Sequence, residues 1–397
     1  MIAELILITS VALIAYTYVG YPVLIFILSR LIERPVRRAA ITPKVSLIIA
    51  AYNEEQDIAA KIENSLALDY PKERLEIIVA SDCSTDRTDE IVGEYADRNV
   101  RLYRQPERHG KSAVQNRAMK VSAGEILVFS DATTTYEPDV LRKITRNFAD
   151  PDVGCVAGQL VYIDPSQTAV GKGCRSYWSY EKFLKECESR LGSLIGVSGC
   201  LYAIRRSSYA RIAQDMSSDF VIASEVHLQG LRTIYDEDAI SFEETNRRSR
   251  DEFRMRVRVI EQTMSAIDRY RQVLNLRRHS MYAFQMISHK VLRYAVPFFL
   301  IAAFISNLFL INSSQIYLLS FSIQTAFYFA ALVGFIGERM QMSLGPLALP
   351  YYFVMANAAS FVAFLKYVRG EAHVVWEPVR EVSQPSSSEA ISEGVYE

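Results

Sequence analysis

The chain predicts an α/β domain with a mainly parallel sheet, combined with transmembrane α-helices. Three observations carry that reading. Between Lys44 and about Phe148, short apolar runs alternate with segments of helical period, the pattern of strands joined by crossover helices. The runs VSLIIAAYNEE, LEIIVASDCSTD and EILVFSDATT end in carboxylates, Glu54, Asp82 and Asp131. Long uncharged apolar stretches lie on either side of this domain, and each is long enough to cross a hydrocarbon core.

Residues 1–30 form the first span. Leu5 to Leu28 carries no charge and covers a core of about 30 Å at roughly 1.5 Å per residue. A cleaved signal peptide is the rival reading. It is disfavoured because the run exceeds the usual apolar core of about 7 to 15 residues and lacks both a basic start and a small-residue cleavage site. Arg30, Arg34, Arg37 and Arg38 follow and, by the positive-inside rule, hold the next domain in the cytoplasm.

That domain runs over residues 40–276, with halves at 40–150 and 151–276. In the first half Val45–Ala50, Leu75–Ala80, Val100–Arg104 and Ile126–Phe129 read as strands, the last leading into Ser130 and Asp131. Glu54–Ala67, Thr85–Tyr95 and Lys111–Val121 read as helices, the first with acids in its first turn where the helix dipole favours them. Ligands of such sheets bind beyond the carboxyl ends of the strands, so acids collected there suggest a nucleotide and metal site. In the second half Cys155–Ile163 and Gly196–Ile204 read as strands, with the aromatic-rich helix Cys174–Ser189 between them. Asp219–Gly230 follows as a helix with a glycine cap, then Thr233–Tyr235 and Ala239–Phe242 as short strands.

Residues 277–293 mix basic and apolar side chains and are expected along the membrane surface. Ala295 to Gly337 is free of charge, and roughly 43 helical residues reach about 65 Å, twice the core thickness. Two spans with a turn at Asn312–Gln315 therefore fit. A further stretch, Met340–Leu365, is interrupted by Pro346 and Pro350, so residues 294–368 hold two to three spans. Four crossings would put the C-terminus outside, whereas Lys366, Arg369 and Arg380 favour the inside. Either the last segment is re-entrant or the charge rule yields. Residues 369–397 form a polar tail, disordered in part.

Composition and motifs exclude several classes. The net charge of −1 gives no reason to expect nucleic acid, and the five cysteines form no CxxC pair and read as free thiols. The GKS at 110–112 is no P-loop, since Gln105 stands where the first glycine belongs. There is no HExxH, and GVSGC misses the last glycine of the GxSxG elbow. The spans carry no acid or base, which argues against an ion or solute transporter.

The ordered set of one span, VSLIIAAYNEE, SDCSTDRT, HGKS, FSDATT, VSGCLYAIRR, SSDF, an Arg-rich segment and further spans resembles the membrane-embedded, inverting family 2 glycosyltransferases. That family has a GT-A, Rossmann-like fold and includes cellulose, chitin and hyaluronan synthase-like and bacterial exopolysaccharide enzymes. The resemblance implies roles residue by residue. Ala51, Tyr52, Asn53, Glu54 and Asp82 would surround the uridine of a nucleotide-sugar donor, Asp82 as the acceptor for an imide N–H. Capping of helices is the structural rival for Asn53 and Asp82. Lys111 would meet the diphosphate, with Gly110 allowing close backbone approach and Ser130 bordering the nucleotide. Asp131 takes the first acid of the DxD signature, but Thr133 replaces the last, so Mg²⁺ or Mn²⁺ would rest on one carboxylate plus phosphates and water.

On the acceptor side Asp219 matches the catalytic acid of the ED signature, with Ser218 in place of the Glu, and would be the general base. Its place at a helix start is expected to hold its pKa down; Asp215 is the rival. Gly199 would border the acceptor. Trp178, with Tyr177, Tyr180 and Phe183, either stacks on an acceptor sugar or packs in the core. Arg247, Arg250, Arg254 and Arg258 share one helical face. Arg258 corresponds to the Arg of QxxRW, whose Gln and Trp are absent here, which weakens a processive reading. The implied reaction moves a sugar from a UDP-sugar to a lipid-linked or growing saccharide at the cytoplasmic face of the inner (plasma) membrane, with inversion. The alternatives are a polyprenyl-phosphate sugar transferase, a processive polysaccharide synthase and, from another class, a nucleotide-binding membrane sensor without turnover.

Overall fold

The computed structural model describes residues 1–163, 169–244, 249–340, 342 and 344–371, and the side chains of 169–177 are outside that description. The expected polar tail beyond 371, Arg247, Arg380 and the Cys174 and Tyr177 side chains therefore lie outside that description. The chain opens with α1 (Ile2–Ala15) and α2 (Tyr21–Leu31), which a π turn joins into one 30-residue rod. The first half of the α/β domain follows as β1 (Val45–Ala51), α3 (Ile58–Leu66), β2 (Leu75–Ser81), α4 (Thr88–Gly93), β3 (Val100–Arg104), α5 (Lys111–Val121), β4 (Ile126–Asp131), β5 (Thr135–Tyr136) and α6 (Val140–Thr145). The second half holds β6 (Val153–Ile163), α7 (Ala169–Leu191), β7 (Leu201–Arg205), α8 (Ser218–Leu228), β8 (Arg232–Glu244) and α9 (Ser249–Arg269). Then come α10 (Leu276–Met286), α11 (Leu292–Leu310), α12 (Gln315–Arg339) and α13 (Ala348–Val368).

All eight strands form one sheet in the order β3-β2-β1-β4-β7-β6-β8-β5. β1, β2, β3 and β4 are parallel, whereas β7 runs antiparallel to both β4 and β6. Every residue of β1 is buried, which explains a continuous apolar run rather than alternation. Leu47 and Ile49 face the core under α3 and α6, while Ile48 and Ala50 face the one under α5 and α8. The period of two thus survives as a division between two cores.

Several boundaries move for local reasons. The helix expected from Glu54 starts only at Ile58, because Asn53 takes φ 55° and the Glu54 carbonyl first accepts the N–H groups of Asp57 and Ile58 in a turn. The helix expected over Thr85–Tyr95 shrinks to α4, with the Asp86 carboxylate accepting from Thr88 N at 3.0 Å. The strand expected from Gly196 begins at Leu201, leaving 196–200 as loop. The two short strands after Thr233 are one long β8 with a bulge against Gly158 and Gln159.

Among the described residues four helices are long and apolar enough to cross a membrane: Ile2–Leu31, Leu276–Leu310, Gln315–Arg339 and Gly345–Val368. Exposed Leu5, Ile8, Phe309, Leu319, Ile323 and Phe329 form the outward apolar surface that lipid would cover. The segment expected along the membrane surface is continuous with the second of these helices. Helix α7 ties the domain to the first span, with Phe183 stacked on Phe26 at 5.9 Å between ring centroids.

Candidate active site

Parallel pairing brings the ends of β1, β2 and β4 to one edge, with Ala51 opposite Ser81 and Ala50 opposite Asp131. Past Ala51, which is buried, the Tyr52 ring lies 3.7 Å from the Arg108 guanidinium carbon. Asn53 caps no helix. Its side-chain oxygen accepts from Thr85 N at 2.6 Å and its own N–H donates to Ser84 Oγ at 3.0 Å, so it fastens the β1–α3 loop to the β2–α4 loop.

Asp82 behaves differently from what a base contact requires. One carboxylate oxygen accepts from the Gln105 amide and from His109 N at 2.9 Å, the other from Gly110 N at 2.8 Å. A carboxylate offers about four lone-pair sites, so one is left, and Asp82 is not among the cavity-lining side chains. Its visible work is to hold the turn at Gly110, whose φ of 86° suits glycine, at the start of α5. Ser130 is likewise buried, donating to the Asp131 carbonyl at 3.0 Å, and does not line the cavity.

A single cavity of about 680 Å³ gathers Glu54, Lys111, Asp131, Gly199, Asp219, Arg258 and Trp178. Lys111, first residue of α5, forms an ion pair with Asp131 at the end of β4. Burial alone would depress the Lys111 pKa, but the Asp131 and Asp219 carboxylates outweigh it and push it up. A Cβ on Gly199 would stand 3.0 Å from Asp219 Oδ1 and 3.1 Å from Lys111 Nζ. Gly199 therefore marks the point where base candidate and cation meet.

Asp219 lies in the first turn of α8, after N-cap Ser217, and accepts from Ser218 Oγ at 3.1 Å. The expectation that the helix start lowers its pKa is corrected: burial raises it, Lys111 pulls it back, and Asp131 adds to the rise. The rival Asp215 lines a separate groove. Arg258 reaches the cavity from α9, its pKa lowered by burial and partly restored by Asp131. Its expected partners on that face diverge, since Arg250 and Arg254 are exposed. Arg256 lines the cavity instead, paired with Glu252 at 2.8 Å.

Two residues were not singled out from the sequence. Glu243 on β8 and Cys200 before β7 place a carboxylate oxygen and Sγ within 4.8 Å of each other and of an Asp131 oxygen. Thr135 pairs with Phe242 across β5 and β8, which brings Glu243 beside Thr133, 3.4 Å from its hydroxyl. Cys200 Sγ donates to Glu243 at 2.8 Å. Burial, then the Asp131 charge, pushes the Glu243 pKa up to about 7. Two carboxylates crowded at this spacing, with a thiol beside them, fit a divalent ion whose own charge would neutralise them. Taking the acid at every strand end would have found Glu243, because the 239–242 strand was legible.

The cavity continues away from the sheet. Tyr18, Arg293, Tyr294, Phe353 and Asn357 line it from three of the four candidate spans. Trp178 faces it while packing on Tyr162 at 5.2 Å and under the Lys185 ammonium at 5.4 Å, so its stacking and packing readings coexist. Tyr180 also lines it, its hydroxyl 3.4 Å from the Thr17 carbonyl.

A parallel half-sheet continued by an antiparallel strand, with Asp131 at the junction, is the GT-A architecture of glycosyltransferases. Residues 46–213 match the family model described as Glycosyl transferase family 2. It is 27% identical over 217 residues to "Probable glycosyltransferase YdaM" of Bacillus subtilis (strain 168), covering 51% of each chain. It is 27% identical over 199 residues to "Poly-beta-1,6-N-acetyl-D-glucosamine synthase" of Staphylococcus aureus (strain COL), covering 48% of each. The match spans about half the length of these curated relatives. Among solved structures, the mannosyltransferase PcManGT from Pyrobaculum calidifontis, in complex with GDP-Man and Mn²⁺, superimposes with a TM-score of 0.68 at 23% identity, over 92% of this chain and 99% of that one. That likeness establishes the shared fold.

Proposed function

We propose that the chain is an inverting glycosyltransferase that moves a sugar from a nucleotide-sugar donor, with UDP as the expected nucleotide, to a saccharide or lipid-linked acceptor. The observation that carries this reading is the single cavity in which Lys111, Asp131, Glu243 and Arg258 converge with Asp219 and which runs on into the candidate spans. The donor base lies over Ala51–Glu54, with Asp82 bracing the neighbouring turn at Gly110. Lys111 and Arg258 balance the diphosphate and the leaving nucleotide. Asp131 and Glu243, with Cys200 adjacent, would hold Mg²⁺ or Mn²⁺, which supplies further neutralisation of the diphosphate.

Asp219 accepts the proton of the attacking hydroxyl, and its raised pKa makes it a stronger base than an exposed aspartate. A one-step displacement from the face opposite the leaving group inverts the anomeric carbon. The acceptor enters past Tyr18, Tyr294 and Asn357, which suits a lipid-borne or membrane-extruded saccharide. The protein is then a multi-pass inner-membrane protein with the domain on the cytoplasmic side.

The test is a panel of UDP- and GDP-sugars, scored by metal-dependent release of nucleoside diphosphate from the purified protein. Asp131→Ala and Asp219→Asn are each expected to abolish transfer, and Asp219→Asn to keep nucleotide binding. Full transfer by the Asp219 variant would overturn the base assignment, and binding of nucleotide without turnover of any donor would favour a sensor. A second reading, a phosphate acceptor that needs no base, is favoured by Lys185. It lines the cavity between Asp219 and the spans and has no acidic partner within salt-bridge range among the described residues. Retained transfer to a polyprenyl phosphate by Asp219→Asn would select it.

A further inference from the structure

A second concavity, of about 860 Å³, opens between α5, the 211–215 loop and the end of α9. Its charged lining is Arg117, Lys120, Arg211 and Arg269 against the single acid Asp215. Among the described residues none of the four cations forms an ion pair, and none has a side-chain hydrogen bond. Several other arginines of this domain are matched: Arg146 with Asp236 and Asp238, Arg142 with Asp69, Arg98 with Glu63. Four like charges around one hollow repel each other unless an anion or solvent ions sit among them.

The wall is built rather than loose. The Asn116 amide donates to the Ile212 carbonyl at 2.7 Å and accepts from Ile212 N at 3.0 Å and from the Tyr209 hydroxyl at 3.1 Å. That fixes the 209–212 backbone, and with it Arg211, against the helix carrying Arg117 and Lys120. Just beyond Arg269 the chain adds Arg271, Arg277 and Arg278, all exposed, as the candidate span Leu276–Leu310 begins. The hollow thus lies beside the stretch of chain that leads into that candidate span. Gln214 lines both this hollow and the active-site cavity, so an occupant would touch the loop that leads to Asp219.

We infer that the Arg117–Lys120–Arg211–Arg269 hollow is a second anion site that takes a phosphate-bearing group. An anionic phospholipid headgroup and a free phosphorylated molecule share that chemistry. The site stands whether or not the transferase reading does, because none of its four cations belongs to the active-site cavity.

The test uses the purified full chain. Inorganic pyrophosphate is titrated calorimetrically with chelator present, and phosphatidylglycerol retained from mixed phosphatidylcholine–phosphatidylglycerol nanodiscs is counted by native mass spectrometry. Arg117→Gln/Arg211→Gln is expected to weaken at least one probe by about tenfold or more at low salt, where such charges are least screened. Lys111→Met, altered only at the active site, should keep that component. Loss of pyrophosphate binding alone identifies a free phosphorylated ligand, and loss of phosphatidylglycerol retention identifies a lipid headgroup. Lys120→Gln/Arg269→Gln provides a second pair at the same hollow should the first variant fold poorly. Wild-type values for both probes in a folded variant of either pair overturn the site.

Discussion

Replacing Gly199 by alanine isolates site geometry from fold. The added methyl would stand 3.0 and 3.3 Å from the two Asp219 oxygens and 3.1 Å from Lys111 Nζ, against roughly 3.5 to 4 Å for a relaxed contact. Both neighbours must give by a few tenths of an ångström. Gly199 is not among the glycines with positive φ, so alanine meets no backbone strain, and the change limits unfolded-chain freedom in the direction that favours folding. The displacement therefore falls on Asp219 and Lys111. A misplacement of about 1 Å can cost on the order of 100-fold in rate, so shifts of a few tenths predict a loss of about 3- to 10-fold in kcat for Gly199→Ala, and more for Gly199→Val. The assay is nucleoside diphosphate release with acceptor present, paired with thermal unfolding of the same preparations. Unchanged kcat in a folded Gly199→Ala would refute the juxtaposition of Gly199, Lys111 and Asp219 as a functional one. A drop in Tm large enough to explain the activity loss would refute the claim that only the site is disturbed.

Two further outcomes follow from buried charges. Glu243, with its pKa pushed up to about 7, must shed a proton before it can bind a cation, so Mn²⁺ affinity measured by spin resonance should rise as pH increases toward 7 and flatten above it. Glu243→Gln should weaken Mn²⁺ by about tenfold or more and remove that pH dependence; an unaltered profile would exclude Glu243 as a ligand. Lys61 is buried with its ammonium 2.6 Å from the Thr134 carbonyl and 3.6 Å from the Tyr136 ring centroid. Burial lowers its pKa from 10.5 to about 7. Between those values the unfolded chain binds the extra proton, so stability should rise with pH from about 7 to 10, by a few kcal/mol at most, and Lys61→Met should lose that slope. Parallel denaturation profiles for wild type and variant across that range would contradict it.

The strands of the first half were legible because both faces of a parallel sheet are covered, so β1, β2 and β4 appear as nearly continuous apolar runs. The spans were legible from charge-free length alone. Antiparallel β7 and the pairing of β5 with β8 were not, since register between distant segments leaves no local period. That pairing decides much of the site: Leu201 lies opposite Ser130 and Thr135 opposite Phe242. The first puts Gly199 and Cys200 beside Asp131, and the second brings Glu243 to the place that Thr133 leaves without an acid.

The sequence by itself determined that this chain joins an α/β domain to apolar helices, and that acids follow its strands. It also nominated Lys111, Asp131 and Asp219, because their residue types and order are local facts. Only the tertiary structure decided what each acid faces. Asp82 and Asp131 both follow apolar strands, yet hydrogen bonds turn Asp82 onto the backbone of His109 and Gly110 while Asp131 meets the cavity. Asp215 and Asp219 are four residues apart, yet they line different hollows. The direction of a side chain depends on partners contributed by remote strands and loops, and those partners come together only when the sheet closes its register.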